Sequence, residues 1–450
     1  MIKKLSILFL LSISFTLTGQ SLLLEHFVSG VSDEFITEWD LPSGNFTLPA
    51  GNTGTYDATI DWGDGSPLSI ITTYNDADLT HNYSGAGTYQ IKVNGTFPWL
   101  YINNGAVASY LDDLIQWGNV GVELTDDMFN GCVNATGSLP TIPDYITVIG
   151  ARAFRSSGFT GDLTLHNSIT SIGVGAFFGC SGFTGNLVIP NSVTSLGTYT
   201  FYGCSGFNGI LTIGTGLTSI ENNDFQGCSG LNGALTIPNN ITIIGNNSFY
   251  LCSGFISLTL SNALTSIGTS AFNGCTSIVS NITLPSTLLT IGSSSFRNVS
   301  FSGSLIIPNS VTSIGDVAFR DCDFDGTLTL GTGLTSIGYS SFFGCSGFTG
   351  DIDIPSSVTS LGIYTFYLCS GFDGTLSFPS SLSAIGASTF QGCSGLTRVD
   401  MYPSTAPTVD ADGLTLGGTP RPLHIPVTNS GYDVAPWTNT AIFSTIINDL

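Results

Sequence analysis

The side chains best suited to chemistry are four histidines, His26, His81, His166 and His424, ten cysteines and a few carboxylate clusters. None of the histidines lies in a zinc-binding helix motif or beside a nucleophile pattern, so neither metal-assisted hydrolysis nor acyl transfer is indicated. The acids cluster at Asp112 and Asp113, at Asp126 and Asp127, and at Asp321, Asp323 and Asp325. Glycoside hydrolysis needs two carboxyls facing each other across a cleft, and neighbours along one strand or turn do not supply that geometry, so these read as solvated surface. Calcium takes about six to eight oxygens, and Asp61 with Asp64 offers two carboxylates, which leaves a calcium site there a minority option. His166 reads as a solvated variant of a turn. The sequence predicts no catalytic residue, no metal site and no cofactor.

The cysteines point instead to the architecture. Phe129, Phe154, Phe177, Phe201, Phe225, Phe249, Phe272, Phe296, Phe319, Phe342, Phe366 and Phe390 follow one another at steps of 23 to 25 residues. Three positions after each stands a cysteine, except at Ser157 and Val299, and every cysteine in the chain is in that column. Within one unit Leu187 and Ile189 alternate around Val188, Pro190 and Asn191 turn the chain, Val193 and Leu196 bury again, and Gly197 permits a tight corner. Phe201 and Cys204 complete the interior. A single unit cannot close a core, so each coil must stack on the next. The expected fold is mainly β, a parallel β-solenoid of about 12 coils; at roughly 4.8 Å per coil it is a rod on the order of 60 Å long. Stacked cysteines would hold their Cβ atoms about 4.8 Å apart where a disulfide prefers about 3.8 Å, which predicts free, buried thiols. Ser157 and Val299 suggest that the column asks for a small buried side chain rather than a thiol.

Composition agrees with a folded, exported chain. Charged residues are 9% and hydrophobic ones 42%, the opposite of a disordered segment. Nine Lys and Arg against 31 Asp and Glu give a net charge of -22, which argues against nucleic acid or an anionic membrane as partner. Lys3 and Lys4, the apolar run from Leu5 to Leu17, and Thr18, Gly19 and Gln20 have the layout of a signal peptide over residues 1–20. About thirteen apolar residues fall short of the roughly twenty that span a bilayer, and no later run is longer, so no transmembrane segment is expected. The location predicted is secreted or cell surface, and the oligomeric state a monomer.

Residues 186–207, NLVIPNSVTSLGTYTFYGCSGF, and 304–322, SLIIPNSVTSIGDVAFRDC, repeat one phrase. They resemble the leucine-rich repeats of BspA-like surface proteins, whose unit is L-x-L-P-x-x-L-x-x-I-G-x-x-A-F-x-x-C. The resemblance covers roughly residues 125–400 and implies a leucine-rich-repeat solenoid over 133–400 in an adhesin or binding protein that is not an enzyme. An extra segment, such as Gly182, Phe183, Thr184 and Gly185, separates the cysteine from the next strand.

The rod needs ends. Residues 97–132, with Leu111 to Gly118 at the place of a repeat corner, are expected to form a divergent N-terminal capping coil. Residues 401–450 should form a C-terminal cap in which Leu423, Ile425 and Pro426 give a strand and turn, and Tyr432, Trp437 and Phe443 give aromatic lids. Residues 33–96 lose the period and read as a β-sandwich, with strands near Phe46 and Leu48, Tyr56 to Trp62, and Thr88 to Val93. There Asp61, Trp62, Gly63, Asp64 and Gly65, then His81, Tyr83, Gly87, Thr88 and Tyr89, resemble the WGDG…H-x-Y…G-x-Y signature of PKD domains. That resemblance implies a core Trp62 and a hairpin turn shaped by Asp64 and Gly65. All five tryptophans lie outside the regular coils, as end plugs and sandwich core.

Function, on this reading, is binding by surface repetition. The outward strand position holds Thr164, Val188, Thr212, Thr236, Thr259, Thr283, Ile306, Thr329, Asp353, Ser377 and Asp400, a hydroxyl-rich stripe. Thr164, Thr212, Thr236, Thr259, Thr283, Thr329, Asp353, Ser377 and Asp400 are the ligand-facing candidates. A second stripe runs through Ser171, Ser195, Ser219, Ser266, Ser313, Ser336 and Ser360. The leading expectation is an exported binding or adhesion protein for an extended protein or polysaccharide, from a host or matrix. The alternatives are an ice- or lattice-binding solenoid using threonine ladders, and a carbohydrate-active enzyme with Asp353 or Asp400 in a carboxylate pair.

Overall fold

The computed structural model describes residues 33–410, 412–417, 419–425, 431–432, 437 and 443–448. The expected signal peptide and Pro426 lie outside the described residues.

The N-terminal part is antiparallel. Phe35–Leu41 (FITEWDL) alternates buried with partly exposed residues, as a strand with one face on a core should. It sits in a five-stranded sheet ordered Ser69–Ile71, Asp57–Asp61, Gly87–Thr96, Phe35–Leu41, Leu111–Gln116. Gly44–Thr47 pairs with Thr80–Tyr83 in a second, two-stranded sheet. Trp39 from the first sheet meets Phe46 from the second at 5.0 Å between ring centroids, so aromatic packing closes the sandwich. Leu111–Gln116, expected as the corner of a capping coil, is instead the edge strand of the five-stranded sheet. Trp117 follows it, 6.3 Å from Phe35 and 5.9 Å from Phe129. One segment thus finishes the sandwich and lids the first coil, because Leu111 and Leu114 bury against the sheet despite two register shifts and the following Trp117 covers an open core.

From there the chain winds as a parallel solenoid. The twelve column phenylalanines are all fully buried. From Phe129 to Phe390 they form one continuous file of stacked rings, with neighbouring centroids between 5.1 Å (Phe154 and Phe177) and 5.7 Å (Phe201 and Phe225). The extra segment supplies a second file: Phe159, Phe183, Phe207, Leu231, Phe255, Ile278, Phe301, Phe324, Phe348, Phe372 and Leu396 are all buried. It therefore closes the core rather than decorating it. At the C-terminal end Arg421–Ile425 and Phe443–Asn448 add two parallel strands, and Tyr432, Trp437 and Phe443 are buried together.

All ten cysteines are free and buried. Nine donate S–H to the carbonyl of a column phenylalanine in the preceding cysteine's coil or its equivalent, from Cys180 on Phe154 O at 2.8 Å to Cys393 on Phe366 O at 3.1 Å. The thiol thus adds to small size a second hydrogen bond on an inward-facing carbonyl, which in eight of the nine cases already accepts a backbone N–H from three residues on in its own coil. Burial also pushes the thiols of Cys180, Cys228, Cys275, Cys345 and Cys393 up to about 12. A thiol-specific disulfide reagent is expected to label no cysteine in the folded protein and all ten in denaturant. Cys252→Ala should cost about 1–3 kcal/mol in a melting experiment. Fast labelling of the native chain would contradict this.

The corner glycines make their turns without positive φ. None of Gly150, Gly173, Gly197 or Gly245 has positive φ. A Cβ on Gly197 would instead lie 2.3 Å from Val174 N in the coil before, so the requirement is close backbone approach. Positive φ occurs at Gly203, within the tight turn before the cysteine. Where Glu221 replaces the corner glycine, its N–H bonds Asp224 Oδ2 at 2.9 Å, whereas Gly197 N and Gly245 N each reach back to the preceding coil. The sheet breaks at that point: Ser195–Leu196 ends one parallel sheet and Ser219–Ile220 begins another of six strands. A second break, between Ser336–Ile337 and Ser360–Leu361, keeps Gly362, and nothing in the structure explains it.

Candidate ligand-facing surface

The outward stripe rests on register. Val188 pairs with Thr212, Thr236 with Thr259, Ile306 with Thr329, and Asp353 with Ser377. Because each side chain sits between two buried apolar residues of a short strand, the period of two directs it outward. Thr164, Thr212, Thr236, Thr259, Thr283, Thr329 and Asp353 are all exposed, and Ser377 is partly so. Asp400 departs from the expectation. It is 8% exposed, its carboxylate meets Arg398 Nε at 2.5 Å, and its strand is covered by Arg421–Ile425, whose His424 stands opposite it. The stripe thus runs out where the C-terminal strands begin.

The second stripe lies along the other strand file, where Ser171, Ser195, Ser219, Ser266, Ser313, Ser336 and Ser360 stand in register with one another or with residues such as Ile243 and Thr290. Ser266 and Thr290 hydroxyls are 3.0 Å apart, so part of its bonding capacity is turned along the ladder.

The acids are mostly occupied. Asp64 accepts from Ser66 N at 3.0 Å and lies 2.8 Å from His81 Nε2, and the neighbouring Ser66 side chain, then His81, hold its carboxyl down at about 2. Asp61 accepts from Gly63 N at 3.0 Å. Both carboxylates shape the turn. Trp62 is buried, stacks on His81 at 5.1 Å, and donates to Ser69 Oγ at 2.9 Å. Asp127 is buried and gripped at both oxygens by Arg152 at 2.7 and 2.6 Å. Burial and the facing Glu38 raise the carboxyls of Asp112 and Asp113 above the usual range. The His166 side chain is not solvated: it is 12% exposed, and its Nδ1 accepts from Ser168 N at 3.2 Å.

A model of the BspA type leucine rich repeat region matches residues 122–232, 209–325 and 318–409. The chain belongs to the BspA-type leucine-rich-repeat family. Among solved structures, a leucine rich cell surface protein from Faecalibacterium prausnitzii is 21% identical with a TM-score of 0.40, covering 68% of this chain and 90% of its own. A leucine-rich repeat protein from Bacteroides ovatus is 20% identical with a TM-score of 0.38, covering 75% of this chain and 94% of its own. The pneumococcal vaccine antigen PcpA is 16% identical with a TM-score of 0.44, covering 73% and 84%. No curated protein matches the chain. Among the described residues no helix is long and apolar enough to cross a membrane.

This BspA-type array carries a feature that the strand-centred reading missed. Arg155 stands over the Phe178 ring at 5.0 Å, Phe178 stacks on Tyr202 at 4.5 Å, and Tyr199 flanks Tyr202 at 5.8 Å. The same set recurs 165 residues on (320 - 155 = 165): Arg320 over Phe343 at 4.2 Å, Phe343 on Tyr367 at 4.8 Å, Tyr364 beside Tyr367 at 5.3 Å. Tyr199 and Tyr364 are each 41% exposed. The signal was present in the sequence as FFGCSGFTG at 177–185 and again at 342–350.

Proposed function

We propose that the protein is an exported, non-enzymatic binding or adhesion protein that recognises an extended protein or polysaccharide through its repeat surface. The observation that carries the reading is the row of exposed Thr212, Thr236, Thr259, Thr283 and Thr329, in which Thr236 and Thr259 pair in register, a nearly uncharged, hydroxyl-bearing face along many coils. Such a face makes the same weak contact repeatedly, so affinity comes from a ligand long enough to touch several coils. The PKD-like segment at 33–96 serves as a spacer, residues 97–132 and 401–450 cap the rod, and the location is the cell surface or the medium. A lattice-binding role is less well supported, because Val188, Ile306 and Asp353 interrupt the threonine row. A carbohydrate-active enzyme is less well supported too, since Asp353 is exposed on a strand and Asp400 is tied to Arg398.

The test is a glycan and host-protein array probed with the purified chain, in parallel with a variant carrying Thr212→Lys, Thr236→Lys and Thr259→Lys. Binding is expected to fall by tenfold or more in the variant while its melting temperature stays near the parent's. Silence of the parent on both arrays would count against adhesion, and thermal hysteresis in the parent would favour the lattice.

A further inference from the structure

A cleft lies where the sandwich meets the first coils, and Trp99 divides it into two lobes. The larger, of about 720 Å³, is walled by Trp99, Glu123, Thr125, Asp126 and Tyr145. The smaller, of about 490 Å³, shares Trp99 and Asp126 and adds Tyr74, Tyr101 and Arg152. The walls are firmly held. A Cβ on Gly51 would fall 2.1 Å from Trp99 Cδ2, so the indole rests on the glycine backbone, while the Trp99 carbonyl accepts from Gly51 N at 3.0 Å and Tyr56 Oη at 3.2 Å. Tyr101 packs edge-on to Trp99 at 5.4 Å, and Asp126 is oriented by Ala151 N at 2.6 Å. Tyr145, 44% exposed, forms the rim.

We propose that this cleft binds a short neutral oligosaccharide, with sugar units on both sides of Trp99. Three features point to that chemistry. First, aromatic walls with a few convergent polar groups, in a volume within the roughly 300–1,000 Å³ of ligand sites, suit a ring with one apolar face and a hydroxyl rim. Second, the larger lobe has no Lys or Arg in its wall, and Arg152 in the smaller is paired through Nε and Nη2 with Asp127, so its charge is already balanced and an anionic ligand is not favoured. Third, the Glu123 and Asp126 carboxylates of the larger lobe accept hydrogen bonds from sugar hydroxyls, and beneath its wall Trp99 Nε1 and Thr125 Oγ1 are buried with no partner among the described residues. The site shares no residue with the threonine stripe, so either can fail while the other stands.

The experiment titrates the full chain with cellohexaose, mannohexaose and chitohexaose, following calorimetric heat and tryptophan fluorescence, at low and at high salt. At least one hexasaccharide is expected to bind, with little change between the two salt conditions, and with at least tenfold weakening in Tyr145→Ala and in Asp126→Asn. Tyr145→Ala removes an exposed ring, and an unchanged melting temperature confirms that it folds. Thr236→Lys should leave this binding unchanged, which separates it from the stripe. No binding of any of the three sugars at 10 mM ligand, binding indifferent to both cleft substitutions, or saturable, salt-sensitive binding of a lysine-rich peptide without sugar binding would each overturn the proposal.

Discussion

Phe249→Ala is expected to destabilise the protein by about 3–5 kcal/mol, the usual cost of emptying an aromatic site in a packed core. Phe249 lies mid-file, fully buried, stacked at 5.3 Å on both Phe225 and Phe272 and edge-on to Phe255 at 6.3 Å. Its neighbours cannot collapse into the gap, because each ring is pinned by a coil whose backbone is bonded to the next. In a stacked array, stability is approximately a sum of coil terms and nearest-neighbour interface terms, and this change damages two interfaces at once. Melting should therefore broaden or separate into two transitions, and amide exchange should accelerate first in coils 225–272. The same truncation at Phe178, which is only partly buried, should cost clearly less. A sharp, unshifted melt for Phe249→Ala would show that the file does not bear on stability.

The second large effect is pH-dependent and belongs to one coil. Asp224 is wholly buried in a column that, after Met128 in the first coil, elsewhere holds Ala, Ser or Thr; its Oδ2 accepts from Glu221 N and its Oδ1 from Thr200 N, with no cation against it among the described residues. Burial pushes its carboxyl up to about 8 from an ordinary 3.8. The native state therefore keeps a proton that the unfolded chain releases, so between about pH 4 and pH 8 stability falls as pH rises. The slope attributable to this group is about 1.4 kcal/mol per pH unit at most. Asp224→Asn, which keeps an acceptor and has no charge to bury, should lose that component and exceed the parent at pH 8 by on the order of 3–5 kcal/mol. At pH 4 the two should converge. Comparing parent with variant cancels the repulsion among the many surface acids, which affects both alike. Equal pH profiles would mean that Asp224 is ionised in place.

Much of the rod was legible because periodicity is a one-dimensional property. The Phe and Cys columns, the apolar pair around each outward residue and the proline turns could be counted directly, and stacking followed from a unit too small to close its own core. The sandwich was only partly legible. Gly44–Thr47, Asp57–Asp61 and Gly87–Thr96 coincide with expected strands, while Phe35–Leu41, Ser69–Ile71, Thr80–Tyr83 and Leu111–Gln116 carry no repeat to announce them. Local pattern could not assign Leu111–Gln116 to a sheet edge, because its partner Phe35–Leu41 is some seventy residues away in sequence. The outward strand position stays exposed or partly so as far as Ser377, and at Asp400 strands arriving from further along the chain cover it.

The sequence by itself determined that this chain stacks coils of about two dozen residues, that its aromatic rings and thiols line the interior in files, and that a hydroxyl-rich row faces outward. All of these follow from residue types recurring at one period, so that whatever one coil buries the next must bury too. Only the tertiary structure decided why each element is there. It showed that the corner glycines admit a neighbour's backbone, that the thiols pair carbonyls, that Glu221 and Asp224 replace a lost inter-coil bond, and that Trp99 divides a cleft between sandwich and coils. Those outcomes depend on distances between residues far apart in the chain, and close approach in space leaves no mark in the order of the amino acids.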